Sequence, residues 1–229
     1  MTNFGSYGII SAYLSNWNQM MKNIAIASAK RLRWGIPAIP EEIRTEILRK
    51  SIHLLIAFVP GLAAINLGLA VGLLTGGVLF YATCESLRME GFSVPVISKV
   101  TALAARRRDG SRFVLGPVTL GIGALLSLLL YPNPAASIAI YTLAFGDGLS
   151  SLVGKSFGSI RIPFTGGKSV EGSLTCLVAV YVAAFAVTGD SARSLAVGIA
   201  AMVIEAAPMK DFDNIVLPVS VGAIASLLF

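Results

Sequence analysis

AASIAIYTLAFGDGLSSLVGKSFG, residues 135–158, decides how this chain is read. An almost wholly apolar run reaches Phe145, a lone carboxylate (Asp147) stands between Gly146 and Gly148, and the run then continues to Gly154 and Lys155. Residues 135–154 have the length of a membrane-crossing helix, which needs about 20 mostly apolar residues. Asp147 falls about two turns from the end of that helix. A carboxylate at such depth is costly, and so is a functional candidate by default.

The rest of the chain fits the same solvent. Of 229 residues, 55% are hydrophobic and 13% charged, with a mean hydropathy of +0.77. Soluble domains are about a quarter charged, so this chain lacks the residues for a polar exterior. Six further candidate spans follow, at roughly 52–67, 68–86, 113–131, 172–188, 194–209 and 214–229. The expected fold is therefore an all-α integral membrane protein with about seven transmembrane helices. Residues 7–30 interleave Trp17, Met20, Met21, Ile24 and Ile26 with Asn16, Asn18, Gln19 and Lys22, which predicts an interfacial amphipathic helix. Two regions result: an N-terminal amphipathic segment, 1–48, and a polytopic catalytic membrane domain, 49–229. A compact apolar core followed by a small-residue cleavage site is not seen at the N-terminus, so no removable signal peptide is expected.

Charge supports this threading. The chain carries 18 Lys and Arg and a formal net charge of +6. With seven spans, every one of them except Arg193 falls on the same side. The positive-inside rule makes that side cytoplasmic, and it leaves the C-terminus outside. The basic stretches lie between apolar runs, so lipid headgroups and an anionic substrate are the expected partners, not nucleic acid. Cys84 and Cys176 lie inside apolar segments and have no metal-ligand spacing. They read as small hydrophobes in helices.

Four polar groups fall at that cytoplasmic face. Arg49, Lys50 and His53 open the first span; Arg49 and His53 share a helix face, and His53 is the sole histidine. They serve as positive-inside anchors or face a substrate. Glu85 and Arg88 end the second span and can pair across one turn. The third group is Asp147 with Gly146, Gly148 and Gly154, followed by Lys155, Arg161, Gly166-Gly167-Lys168-Ser169 and Glu171. A sunken carboxylate among glycines, with lysines close by, suits a divalent cation holding phosphate oxygens. The alternative is tight helix packing around the glycines. Gly166-Gly167-Lys168-Ser169 is not a Walker loop: the first glycine of that motif is missing at the required spacing and no soluble strand precedes it. The fourth group is Glu205, then Lys210-Asp211-Phe212-Asp213-Asn214, with Pro218 beyond. Asp213 there either caps the last helix or contacts a metal or nucleotide.

Taken in order, these pieces resemble a known family. Arg49-Lys50-x-x-His53, Glu85-x-x-Arg88, Gly146-Asp147-Gly148 with Gly154 and Gly158, Lys168-Ser169-x-Glu171-Gly172, and Asp213-Asn214 with Pro218 are similar to motifs of the CTP-dependent polyprenol, phytol and diacylglycerol kinases. Dolichol kinase is a member of that family. It is related to the membrane phosphatidate cytidylyltransferases. Ser150 stands where a small residue, often alanine, is usual, and Phe212 where a glycine is usual ahead of the Asp-Asn pair.

The resemblance implies a phosphotransferase that uses CTP as co-substrate with Mg²⁺ and a membrane lipid alcohol as acceptor. Asp147, Lys168 and Asp213 would be catalytic, with Asp147 and Asp213 as the metal ligands or, for either, the base that takes the hydroxyl proton. Gly146, Gly148, Gly154, Lys155, Ser169, Glu171 and Asn214 would surround the nucleotide phosphates. Arg49, Lys50, His53, Glu85 and Arg88 would lie on the lipid or headgroup side. The cytidylyltransferase reaction, CTP with phosphatidate giving CDP-diacylglycerol, is the second expectation. A transporter or membrane scaffold is the third, but it needs polar groups along a path to both faces, and on the far side only Asp190 and Arg193 are charged.

Overall fold

The computed structural model describes residues 41–92, 94, 101, 112–209 and 212–229. The expected interfacial helix at 7–30, most of segment 1–48, Lys210 and Asp211 lie outside these residues. The regular elements of the described residues are all helices, with one isolated antiparallel bridge between Arg161 and Ser169 in a connecting loop.

Helix α1, Glu41–Leu55, passes through a 3-10 turn, Ile56–Phe58, into α2, Val59–Ile65. Pro60 sits in the first turn of α2, where its missing N–H breaks no helical bond. Asn66 then does two things. Its extended backbone (φ −155°, ψ 104°) ends the rod, and its side chain caps α3, Leu67–Met89, by accepting from the Leu69 N–H at 2.9 Å. This break falls at the boundary between the candidate spans 52–67 and 68–86. Helix α4 is Gly116–Leu130, with a proline in its first turn.

Helix α5, Ala135–Tyr141, a π-helical stretch, Thr142–Asp147, and α6, Gly148–Phe157, form one continuous rod. Helix α7, Val170–Thr188, starts at an Ser169 cap and stops at Gly189, whose left-handed φ of 72° closes the last turn onto the Phe185 carbonyl. Asp190 caps α8, Ser191–Ala206, through the Arg193 N–H at 2.9 Å. Helix α9 is Asp213–Leu228 and carries Pro218 internally.

Helix occupies every segment read as a span. Among the described residues, four stretches are long and apolar enough to cross a bilayer: Ile43–Ile65, Leu67–Met89, Ala135–Phe157 and Val170–Thr188. The others are shorter. α4 has 15 residues, and α8 and α9 have 16 each. At 1.5 Å per residue these reach about 24 Å, against about 30 Å of hydrocarbon.

The core is built mainly of small side chains. Ala135 and Ile138 of α5, Cys176, Val180 and Ala184 of α7, Val197 and Ala201 of α8, and Leu217, Val221 and Ala225 of α9 form one buried cluster. Small residues let helix backbones approach closely where apolar burial gives no preference between lipid and protein. At Gly198 a Cβ would come within 3.0 Å of the Leu177 carbonyl oxygen. The large apolar side chains point outward instead: Phe58, Ile65, Leu79, Phe80, Val178 and Val182 are all exposed. That inside-out distribution is what a lipid-facing surface requires.

Candidate active site

The geometry starts on α1. Glu46, Lys50 and His53 repeat at helical spacing, so one face of α1 presents them together to α6 and the π-helical stretch. Asp147 ends that stretch and is buried, with 2% of its surface exposed. The Lys50 ammonium donates to Asp147 Oδ2. His53 Nδ1 lies 3.1 Å from the same oxygen, but off the line a hydrogen bond needs. Short π-helical stretches occur often at functional sites, and here one ends on a buried carboxylate of the site.

Two further buried carboxylates each hold a lysine. Glu46 accepts from Lys155 of α6, from Ser151 Oγ at 2.7 Å and from Arg49 at 2.9 Å. Glu205 of α8 accepts from Lys168, and the hydroxyls of Ser150 and Ser173 approach it at 3.4 Å each. Burial works against the Lys168 ammonium, but the Glu205 carboxylate beside it outweighs burial and holds that lysine above its ordinary value.

The loop between α6 and α7 folds back as a small hairpin. Ile162 N–H donates to the Lys168 carbonyl and Val170 N–H to the Ile160 carbonyl, both at 2.9 Å. Arg161 reaches the Gly167 carbonyl at 2.8 Å. Glu171 Oε1 accepts the Ser159 and Ile160 N–H groups at 2.8 and 3.2 Å. Ser169 Oγ accepts the Gly172 N–H at 3.1 Å. Gly166 and Gly167 take φ values of 72° and 100°, conformations that glycine adopts without steric cost. Gly154 and Gly172 let α6 and α7 touch: a Cβ on Gly172 would come 2.8 Å from the Ser150 carbonyl oxygen, and one on Gly154 would come 3.0 Å from Ser169 Oγ.

These elements enclose a cleft of about 390 Å³, within the range of small-molecule sites. Its walls carry the cations Lys50, Lys155, Arg161 and Lys168, and the carboxylates Asp147, Glu205 and Asp213. Of the residues singled out from sequence, Lys50, Asp147, Gly154, Lys155, Lys168, Ser169 and Asp213 line it together.

The others have different surroundings. Gly146 packs on α7, where a Cβ would come 2.9 Å from Val180 Cγ2, and Gly148 faces Leu54 of α1. Glu171 braces the hairpin backbone. Asn214 turns to α4, donating to Thr119 Oγ1 at 2.9 Å and the Gly116 carbonyl at 3.3 Å. Asp213 is the first residue of α9 and accepts its neighbour's N–H, from Asn214, at 2.9 Å. Glu85 takes Arg88 through both oxygens, at 2.8 and 2.7 Å, and also the Val114 N–H at 2.8 Å, while Arg88 reaches the Arg112 carbonyl at 3.0 Å. That pair ties α3 to the start of α4. His53 meets Asp147 from behind, outside the cleft lining, and Arg49 meets Glu46.

Sequence reasoning missed Glu46, and it gave Glu205 no role. A signal existed for Glu46: a carboxylate one turn ahead of Arg49-Lys50 and two turns ahead of His53 shares their helix face. Glu205 had only its position, a carboxylate within an apolar helix.

The donor set bears on a metal. Among the described residues, no group of three or more His, Cys, Asp or Glu is placed to hold an ion. Mg²⁺ bound to phosphates commonly takes only one or two protein carboxylates. Asp147 and Asp213 on one cleft fit that pattern, an ion arriving with its phosphates, and do not fit an all-protein cage.

Among the described residues, fold and site define a helical protein with four candidate membrane-spanning helices and a mixed-charge cleft. No protein-family model matches the chain, and no solved structure matches it. It is similar to a protein of Triticum aestivum named probable phytol kinase, chloroplastic, at 31% identity over 142 residues, covering 53% of this chain and 47% of that protein. Farnesol kinase, chloroplastic, of Arabidopsis thaliana is 27% identical over 142 residues, 55% of this chain and 46% of that protein. A probable phytol kinase 1, chloroplastic, of Oryza sativa subsp. japonica is 26% identical over 164 residues, 64% and 52% of the two chains. The chain spans about half the length of the curated relatives it matches.

Proposed function

We propose that this protein is a membrane lipid-alcohol kinase that transfers the γ-phosphate of CTP to an isoprenoid alcohol of the phytol or farnesol type, with Mg²⁺. The observation that carries the reading is the gathering of Asp147, Lys168 and Asp213 on one cleft among apolar helices. The names of the similar proteins support a lipid alcohol as acceptor. The seven helical rods of the described residues are seven spans in this reading, and the cleft opens at the cytoplasmic face.

Phosphoryl transfer is mainly a matter of positioning and charge neutralisation. Lys168, Lys155 and Arg161 face a triphosphate from the hairpin and α6. Lys50 lines the cleft beside Asp147 and, by donating to Oδ2, fixes the direction of that carboxylate. Asp147 and Asp213 would hold the Mg²⁺, which when bound supplies charge neutralisation across the phosphate oxygens. The acceptor hydroxyl oxygen bonds to the γ-phosphorus, and the bond from that phosphorus to the β,γ-bridging oxygen breaks. CDP leaves, and the hydroxyl proton passes to an aspartate carboxylate of the cleft. Ser169 and Glu171 keep the hairpin in the shape that presents Lys168.

The test is an assay of the purified protein in lipid with CTP, Mg²⁺ and one acceptor at a time: phytol, farnesol, diacylglycerol or phosphatidate. The proposal predicts a phosphorylated alcohol plus CDP. Pyrophosphate release with phosphatidate alone would identify a cytidylyltransferase and overturn it.

A further inference from the structure

The loop 158–169 joins two of the helices that are long and apolar enough to cross a bilayer, Ala135–Phe157 and Val170–Thr188, and it has two unlike faces. Arg161, Thr165 and the Gly166-Gly167-Lys168 run line the cleft. Away from the cleft stand Phe157 at 74% exposure, Ile160 at 63% and Phe164 at 99%. Phe164 also holds φ at 63°, a left-handed conformation that bulky residues rarely adopt. The backbone thus presents the largest apolar side chain of the loop clear of the other described residues. Outward-facing apolar side chains on the spanning helices have lipid to cover them, but a loop tip in water has nothing.

We propose that this loop dips into the interfacial layer of the bilayer, with Phe157, Ile160 and Phe164 seated at the headgroup–acyl boundary and the polar face forming the lip of the cleft. The occupant of the apolar face is the membrane itself. The loop is continuous with two candidate spans and so lies at the level where they leave the hydrocarbon. A long-chain alcohol could then keep its tail in lipid while its hydroxyl passes over the lip to Asp147 and Lys168. The inference rests on the reading that the flanking helices span the membrane, and the test separates the two.

Phe164→Cys and Val178→Cys, the latter on the exposed mid-section of α7, are each labelled with an environment-sensitive fluorophore in the full chain. Both are reconstituted in phosphatidylcholine–phosphatidylglycerol vesicles containing lipids spin-labelled at the headgroup, the upper chain or the chain end. Both native cysteines are buried, so the unsubstituted chain sets the labelling background. The expected result is that the probe at 164 is quenched most by headgroup or upper-chain labels, and the probe at 178 by chain-end labels. Water-like emission at 164 without lipid quenching, with 178 still quenched, overturns the lip and leaves the spans standing. A probe at 164 shielded from both lipid quenchers and aqueous iodide would mean a protein contact and also overturns it. No quenching at either position overturns the spans, and the lip with them.

Discussion

Lys50 of the first helix donates to the carboxylate of Asp147 at the end of the π-helical stretch, and both side chains are almost fully buried. The pair connects parts of the chain 97 residues apart. It joins the helix that carries Glu46 and His53 to the rod that carries the proposed catalytic carboxylate. Two buried charges are costly to desolvate, and a charge left without its partner costs more than the pair.

That asymmetry predicts non-additive mutations. Lys50→Met alone should lower unfolding free energy by about 3–5 kcal/mol, because it strands the Asp147 carboxylate. Lys50→Met combined with Asp147→Leu should cost less than Lys50→Met alone. Thermal unfolding of the three proteins in detergent, with the wild type as reference, measures the coupling.

Glu46 should behave as a positioning residue. It gathers Lys155, Ser151 and Arg49 at the contact between α1 and α6. Glu46→Ala leaves these groups without their buried acceptor, and a loss of about 2–4 kcal/mol is expected. Glu46→Asp should recover part of it. Because Lys155 also lines the cleft, the nucleotide KM should rise in Glu46→Gln while the lipid KM stays near its wild-type value.

The α6–α7 approach can be tested by size alone. A methyl group on Gly172 would press on the Ser150 carbonyl, which is backbone and has no rotamer to give way. Gly172→Ala should destabilise by about 1–3 kcal/mol, the usual cost of overpacking. It should also reduce turnover, since Ser150 and Lys168 sit on the two sides of that contact. Gly77→Ala, at a position open to the surroundings, is the matched control and should change little.

Lys168 gives a pH prediction. Its pairing with Glu205 raises its folded-state value above the ordinary 10.5. A raised value means that the stabilisation is fully present below the unfolded value and is lost as pH rises through the folded one. The melting temperatures of the wild type and Lys168→Met should therefore keep a constant gap from neutral pH to about 10 and converge above 10.5. A gap that closes near neutrality would contradict the pairing.

Much of this was legible in the sequence because lipid imposes simple rules. Long apolar runs, divided at 67/68 into two candidate spans, placed the break that Asn66 makes. Asp147 stood out because carboxylates are rare in such runs. The partners of these groups were less legible. Gly146 and Gly148 look like space for a ligand in sequence, but in the fold they admit α7 and α1, since pattern cannot tell which neighbour fills the space. Lys50 and His53 read as headgroup anchors at a helix start, and only the packing of α1 on α6 turns them onto Asp147. Asn214 reads as a site residue beside Asp213, yet one helical step turns it by 100°, toward Thr119. The shortness of α8 and α9 was visible already, since the apolar runs 194–209 and 214–229 are no longer than the 16-residue helices found there.

The central claim is that the buried carboxylate of Asp147 serves phosphoryl transfer from a nucleotide to a lipid alcohol. The most direct measurement follows radiolabel from the γ-position of CTP into phytol or farnesol, using wild-type protein and Asp147→Asn reconstituted in the same vesicles. The account predicts labelled lipid phosphate with the wild type, and a loss of at least about 10³-fold in Asp147→Asn, with the variant still inserted and folded. Transfer by Asp147→Asn at the wild-type rate would contradict it.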